Sequence, residues 1–194
     1  MMLDLYKHEL NDALDSISSD AMDAFGFAIE HAAHGNNPIY VFGNGGSAST
    51  ADHFACDHTK GVAHDTNLSP NIVSLSSNMA LFSAIGNDYG FDFVFSEQLR
   101  HFPKLESIAL GITASGNSPN IIKGLIQAKE MGFKTLALVG FSGGEILKQQ
   151  LADVIVHVKS NNYGIVEDAH AIMMHSVAQT IRTKHAKPNH MVKL

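Results

Sequence analysis

The chain has no tryptophan, a single cysteine and only 16% charged residues. One cysteine, Cys56, rules out an intrachain disulfide and favours a reducing, cytoplasmic setting. Basic excess is missing too: 13 Lys and Arg stand against 19 Asp and Glu, for a formal charge of −6. That balance argues against a general nucleic-acid binder or a protein that sits on anionic membranes. No stretch approaches the roughly 18 consecutive apolar residues of a membrane span. The opening Met-Met-Leu-Asp-Leu-Tyr-Lys-His has no apolar run behind a basic start, so no secretory signal is expected.

What remains is ordinary globular material: 194 residues, 45% of them hydrophobic, enough to bury a core without staples. From Leu3 to about Ala33 the apolar residues recur at helical spacing, and Ser18-Ser19-Asp20 interrupts them as a cap, predicting two consecutive helices. After Gly35-Asn36-Asn37-Pro38 the pattern changes. Strands are expected at 39–42, 71–75, 107–113, 134–139 and 154–158. Helical stretches are expected at 47–60, 79–85, 93–102, 118–131, 145–151 and 165–184. Strand–helix alternation of this kind predicts an α/β fold with a five-stranded parallel sheet, covered by helices on both faces. One domain is expected over 1–194, with a helical N-terminal extension at about 3–34 and a loose tail at about 186–194.

Two loops carry the chemistry. Directly after the first strand comes Gly43-Asn44-Gly45-Gly46-Ser47-Ala48-Ser49, and after the third Thr113-Ala114-Ser115-Gly116-Asn117-Ser118-Pro119. Glycines let the backbone approach a ligand, and the helix that follows presents free N–H groups and a positive dipole end. Neither loop is a Walker loop or a dinucleotide fingerprint. A single such loop is equally well a capped turn. Two of one type, both beyond the carboxyl ends of parallel strands, point to one anion. Ser47, Thr113, Ser115 and Ser118 would hold its phosphate oxygens.

His53 and Asp57, four apart, share a helix face; Glu167, His170 and His175 share the last helix. Such groups serve proton transfer or a zinc-type site. Spacing alone fits a surface ion pair and hydrogen-bonded core histidines as well. Glu167 and His175 stand about 12 Å apart on a straight helix at 1.5 Å per residue. One ion reaches both only through a bent helix start or a second subunit.

Taken together, the two loops, the segment Ala84-Ile85-Gly86-Asn87-Asp88-Tyr89-Gly90, Gly140-Phe141-Ser142-Gly143-Gly144 and Glu167-Asp168-Ala169-His170 to His175 resemble the sugar isomerase (SIS) domain family. Within it they are similar to the phosphoheptose isomerases. The resemblance implies an aldose–ketose isomerase that turns sedoheptulose 7-phosphate into a manno-heptose 7-phosphate through an enediol(ate), in bacterial heptose and surface-polysaccharide synthesis. It implies a cytoplasmic homotetramer with sites at subunit interfaces. It assigns phosphate binding to Ser47, Thr113, Ser115 and Ser118 and catalysis to Asp57 and His175. A zinc ion, one per subunit, would be held by His53, Asp57, Glu167 and His175. Asn44, Gly45, Asn78 and Glu167 complete the expected substrate contacts, Asn78 standing where the family has an aspartate. Other departures are Asp57 for glutamate, Glu167 for glutamine, Thr113 for serine and Ala114 for threonine. The rival expectation is a non-catalytic SIS-domain tetramer that binds a phosphosugar or a replication initiator. His175 together with His53 and a carboxylate at 57 favours the enzyme.

Overall fold

The computed structural model describes residues 2–103, 106–188 and 191–192. Five strands form one parallel sheet in the order β2-β1-β3-β4-β5. They are β1 (Pro38–Gly43), β2 (Asn71–Ser74), β3 (Ile108–Thr113), β4 (Lys134–Val139) and β5 (Val154–His157). The register runs Val41 to Leu110 to Leu136 to Val154 across the four central and edge strands. Every strand therefore ends at the same edge.

Alternation along the strands sorts the core into two layers. Ile39, Val41, Ile108, Leu110, Ile112, Leu136 and Leu138 face one way. They pack on α1 (Met2–Asp15), α2 (Ser19–Gly35), α3 (Gly46–Cys56) and α9 (Tyr163–Lys184). Tyr40, Phe42, Ala109, Ala137 and Val139 face the other way. There they meet α5 (Met79–Asp88), α6 (Ser96–Leu99), α7 (Pro119–Glu130) and α8 (Gly144–Lys148). Both layers are buried, as period-two strands in a covered parallel sheet require. Phe42 and Phe95, both fully buried, sit 5.1 Å apart between their ring centres.

The expected cap between the first two helices is present: the Ser18 hydroxyl accepts from Ala21 N at 3.3 Å. Several expected boundaries shift. The helix expected over 47–60 gives way at Asp57 to a π-helical turn, Asp57–Val62, and then to α4 (Ala63–Asp65). The helical stretch at 93–102 reduces to a 3-10 turn, Phe91–Phe93, and the four-residue α6. Periodicity reports which residues face the core, and a chain of short turns satisfies that period as well as one helix does. The stretch expected as a loose tail is fastened where it begins. Thr66 and Ala186 form an antiparallel bridge, and Lys187 N donates to Asp65 O at 2.9 Å. Asn189, His190, Lys193 and Leu194 lie outside the described residues.

Chain direction reverses its progress across the sheet between β1 and β3, with β2 on one side of β1 and β3 on the other. In an open parallel sheet the crevice outside the strand ends at such a switch point is where ligands sit. The two Gly/Ser loops leave from β1 and β3.

Candidate active site

Gly45, at φ +55 and ψ −124, turns the chain from β1 into α3. Gly116, at φ +67, does the same after β3. The loops are latched by a reciprocal amide pair: Asn44 Nδ2 donates to Asn120 Oδ1 at 2.9 Å, and Asn120 Nδ2 returns to Asn44 Oδ1 at 2.8 Å. Asn120 is buried at 1% exposure, so this pair holds the two loops at one separation.

Between them lies a cavity of about 140 Å³, lined by Asn44, Ser47, Thr113, Ser115, Ser118 and Glu167, with Ile112, Ala114 and Tyr163 closing it. All four expected hydroxyls thus meet in one place. Thr113 Oγ1 and Ser118 Oγ are 3.1 Å apart, and Ser118 spends its hydroxyl there, not on capping α7. Gly45 caps α3 without a side chain. The first N–H groups of α3 are therefore left without a side-chain cap where a phosphate would sit, whereas at α7 Ile121 N donates to Asn120 Oδ1 at 3.0 Å. Gly45 shapes this turn without lining the cavity. Asn78 is not part of it either. It is exposed at the start of α5, where its Oδ1 accepts from Leu81 N at 3.1 Å as a helix cap.

Further along α3 from Ser47, a second cavity of about 150 Å³ opens between α3 and α9. Ser49, Thr50, His53, Phe54, Asp57, Met174 and His175 line it. Asp57 is the hub. His53 Nε2 stands 3.3 Å from its Oδ1, and His175 Nε2 3.5 Å from its Oδ2. The two imidazoles are 4.9 Å apart, edge to face. Asp57 begins the π-helical turn, a wide turn that recurs at functional sites.

The four-residue metal set expected from the resemblance is not assembled within one chain. His53, Asp57 and His175 place their donor atoms within 4.8 Å of one another, and Glu167 is outside that group. α9 is continuous from Tyr163 to Lys184, so eight residues at 1.5 Å each carry Glu167 about 12 Å away. Its carboxylate instead lies against Gly46 at the start of α3, so close that a Cβ there would overlap it. The three remaining donors fit zinc. Bonds of about 2.0–2.1 Å in a tetrahedron put neighbouring ligand atoms about 3.3 Å apart, and three protein ligands plus an open position is the pattern of catalytic sites.

Behind this wall stand two buried histidines. His58, against Phe54, has its pKa pushed down to about 3 by burial. His170, 1% exposed, is pushed down to about 4 by burial, with a weak backbone contact at Val139 acting the other way. Both stay neutral and apolar-facing, so His170 belongs to the core and not to the site. Reading the residues in order missed Tyr163, whose ring sits edge-on to Phe141 at 4.7 Å. It also missed the latch formed by Asn120. Only the pairing with Asn44, 76 positions away, distinguishes Asn120 from any polar residue early in a helix.

The SIS domain family model matches residues 5–140. A probable phosphoheptose isomerase of Thermoplasma volcanium is 37% identical over 171 residues, 88% of this chain and 86% of that one. The phosphoheptose isomerase of Helicobacter pylori strain P12 is 33% identical over 184 residues, 95% and 94% of the two chains. The solved phosphoheptose isomerase of Neisseria gonorrhoeae superposes with a TM-score of 0.83 at 28% identity, covering 94% and 95%. The chain belongs to the SIS domain family, among the phosphoheptose isomerases. The two loops and the α3–α9 seam are thus the parts of a phosphosugar isomerase fold, and the expected fold class stands.

Proposed function

We propose that the protein isomerises sedoheptulose 7-phosphate to a manno-heptose 7-phosphate, the entry step of heptose synthesis. The observation that carries this is the pairing, along one helix, of a four-hydroxyl anion cradle with an imidazole–carboxylate–imidazole cluster. Ser47, Thr113, Ser115 and Ser118 take the phosphate, with Asn44 beside them. A base among Asp57 and His175 removes the proton from C1 of the ketose, giving an enediol(ate) across C1 and C2. The partner group delivers a proton to C2. The C1 hydroxyl loses its proton as the aldehyde forms while the former carbonyl oxygen on C2 gains one to become a hydroxyl, so the proton count is unchanged. Carboxylate and imidazole are suited to this work near neutral pH.

Zinc, one per subunit, would be held by His53, Asp57 and His175, and with it bound these side chains are ligands and no longer the free base and acid. When bound it polarises the carbonyl and stabilises negative charge on the enediolate oxygens. In a homotetramer, Glu167 of another subunit would complete the ligand set. The exposed Met2, Leu3 and Leu5 of α1 and Phe27 of α2 support assembly, because a lone chain leaves these apolar side chains in water. Among the described residues no helix is long and apolar enough to cross a membrane; with the single cysteine, this supports a cytoplasmic enzyme.

Turnover decides the reading. Purified protein incubated with sedoheptulose 7-phosphate is expected to convert it to the aldose, with C1 exchange of solvent deuterium followed by NMR. Binding of the sugar phosphate with neither conversion nor exchange would leave a sensing or regulatory SIS domain instead.

A further inference from the structure

A second group of donor atoms sits apart from the α3–α9 seam, where the C-terminal ends of α2 and α9 converge. Glu30 and His34 are one turn apart at the end of α2, and His185 follows the last residue of α9. His185 Nε2 is 2.6 Å from Glu30 Oε1, and His34 Nε2 is 4.0 Å from the same oxygen. The two imidazoles stand edge to face, 4.7 Å apart. All three donor atoms lie within 4.8 Å of one another. Glu30 is mostly buried, whereas the His34 side chain is half exposed, so the group is open to solvent on one side.

A simple ion pair does not account for the arrangement. Lys184 Nζ, 2.8 Å from Glu30 Oε1, already neutralises the carboxylate and holds its pKa below the usual range, with His185 adding to this. Two imidazoles flank one carboxylate here, and neutral imidazole is the commonest side-chain metal ligand. Two helix C-termini meet here, and their partial negative charge favours a cation.

We propose that Glu30, His34 and His185 form a second divalent-cation site, for a borderline transition ion of the zinc type. Tetrahedral coordination puts neighbouring donors about 3.3 Å apart. His34 therefore closes on the carboxylate by about 0.7 Å and His185 opens by about as much. Both are side-chain movements at helix ends. The ion takes the place of the direct His185–Glu30 contact and displaces the Lys184 ammonium into solvent, where most of that side chain already lies. Bound there, it staples α2 to the end of the helix that carries His175.

The test uses the full chain, stripped with chelator and titrated with zinc by calorimetry, alongside His34→Ala and Lys184→Met. The wild type is expected to take up one more equivalent per chain than His34→Ala. That difference holds whether or not the His53–Asp57–His175 cluster is loaded, so it is independent of the catalytic reading. Zinc raises the melting temperature of the wild type through this site and has a smaller effect on His34→Ala. Isomerase turnover is unchanged in His34→Ala. Lys184→Met tightens the additional equivalent about threefold or more, the scale of a partly exposed ion pair. Equal stoichiometry in wild type and His34→Ala, or no tightening in Lys184→Met, overturns the proposal.

Discussion

Replacing Gly116 by alanine tests whether the second loop is held in place by backbone contact or is merely a flexible turn. Gly116 has φ +67, and a Cβ built on it meets Gly143 O at 2.0 Å, Gly143 C at 2.5 Å and Gly144 N at 2.9 Å. All three are backbone atoms, so no rotamer change relieves the overlap. The neighbouring bonds make retreat costly as well. Ile146 N donates to Gly116 O at 3.2 Å, and Glu145 N to Asn117 Oδ1 at 2.9 Å, so the loop moves only if the start of α8 moves with it. A left-handed alanine costs about 1–3 kcal/mol, and overpacking against fixed atoms adds about 1–3 kcal/mol. Gly132 is the control. It has φ +82 with open space around its Cβ position, and it lies in the turn before β4, at the opposite sheet edge from the cradle. Gly132→Ala therefore carries the conformational cost alone. Gly116→Ala is expected to be less stable than Gly132→Ala by about 2 kcal/mol, or about 4–8 °C in melting temperature for a chain of this size. The loop bears Ser115 and Ser118, so phosphosugar affinity falls in Gly116→Ala and holds in Gly132→Ala. Coincident melting curves and equal affinities for the two variants would refute the reasoning.

Asp57→Asn is expected to lower turnover by about 10²–10⁴-fold. Its partly exposed pairs with His53 and His175 contribute about 1 kcal/mol or less each, so melting moves little. Steady-state rates and a thermal scan on the same preparation check both halves, and retention of most activity would remove Asp57 from the chemistry. Asn120→Ala breaks the latch and leaves the Asn44 amide without its partner, which is expected to raise KM more than it lowers kcat; a pure kcat effect would contradict a positioning role. His170 makes the fold acid-sensitive. Its folded pKa, about 4, lies below the unfolded value near 6.5, so the unfolded chain takes up the proton first. Stability is full above about pH 6.5 and falls as pH drops towards 4, by about 3 kcal/mol from this group. Urea unfolding at pH 7 and pH 4.5 is expected to show a smaller loss in His170→Leu than in the wild type, and equal losses would rule the effect out.

The order of strands and helices, the two loops and the four hydroxyls are legible in the sequence because each depends on local chemistry. Period-two apolar runs, Gly-Ser turns at strand ends and the Ser18 cap act within a few residues of themselves, and parallel strands put the loops on one edge. The division of the site depended on three-dimensional distance. His53 and Asp57 share a turn, but His175 joins them only because α9 crosses α3, and a continuous α9 carries Glu167 away to the cradle. Asn78 caps a helix and Asn120 ties two loops, although the chain offers both as similar polar residues near helix starts. His58 and His170 carry the same side chain as His53 and His175, and packing alone makes the first pair neutral core and the second pair donors in a cleft. Residue type fixes what a group can do; only the packed helices decide which groups meet.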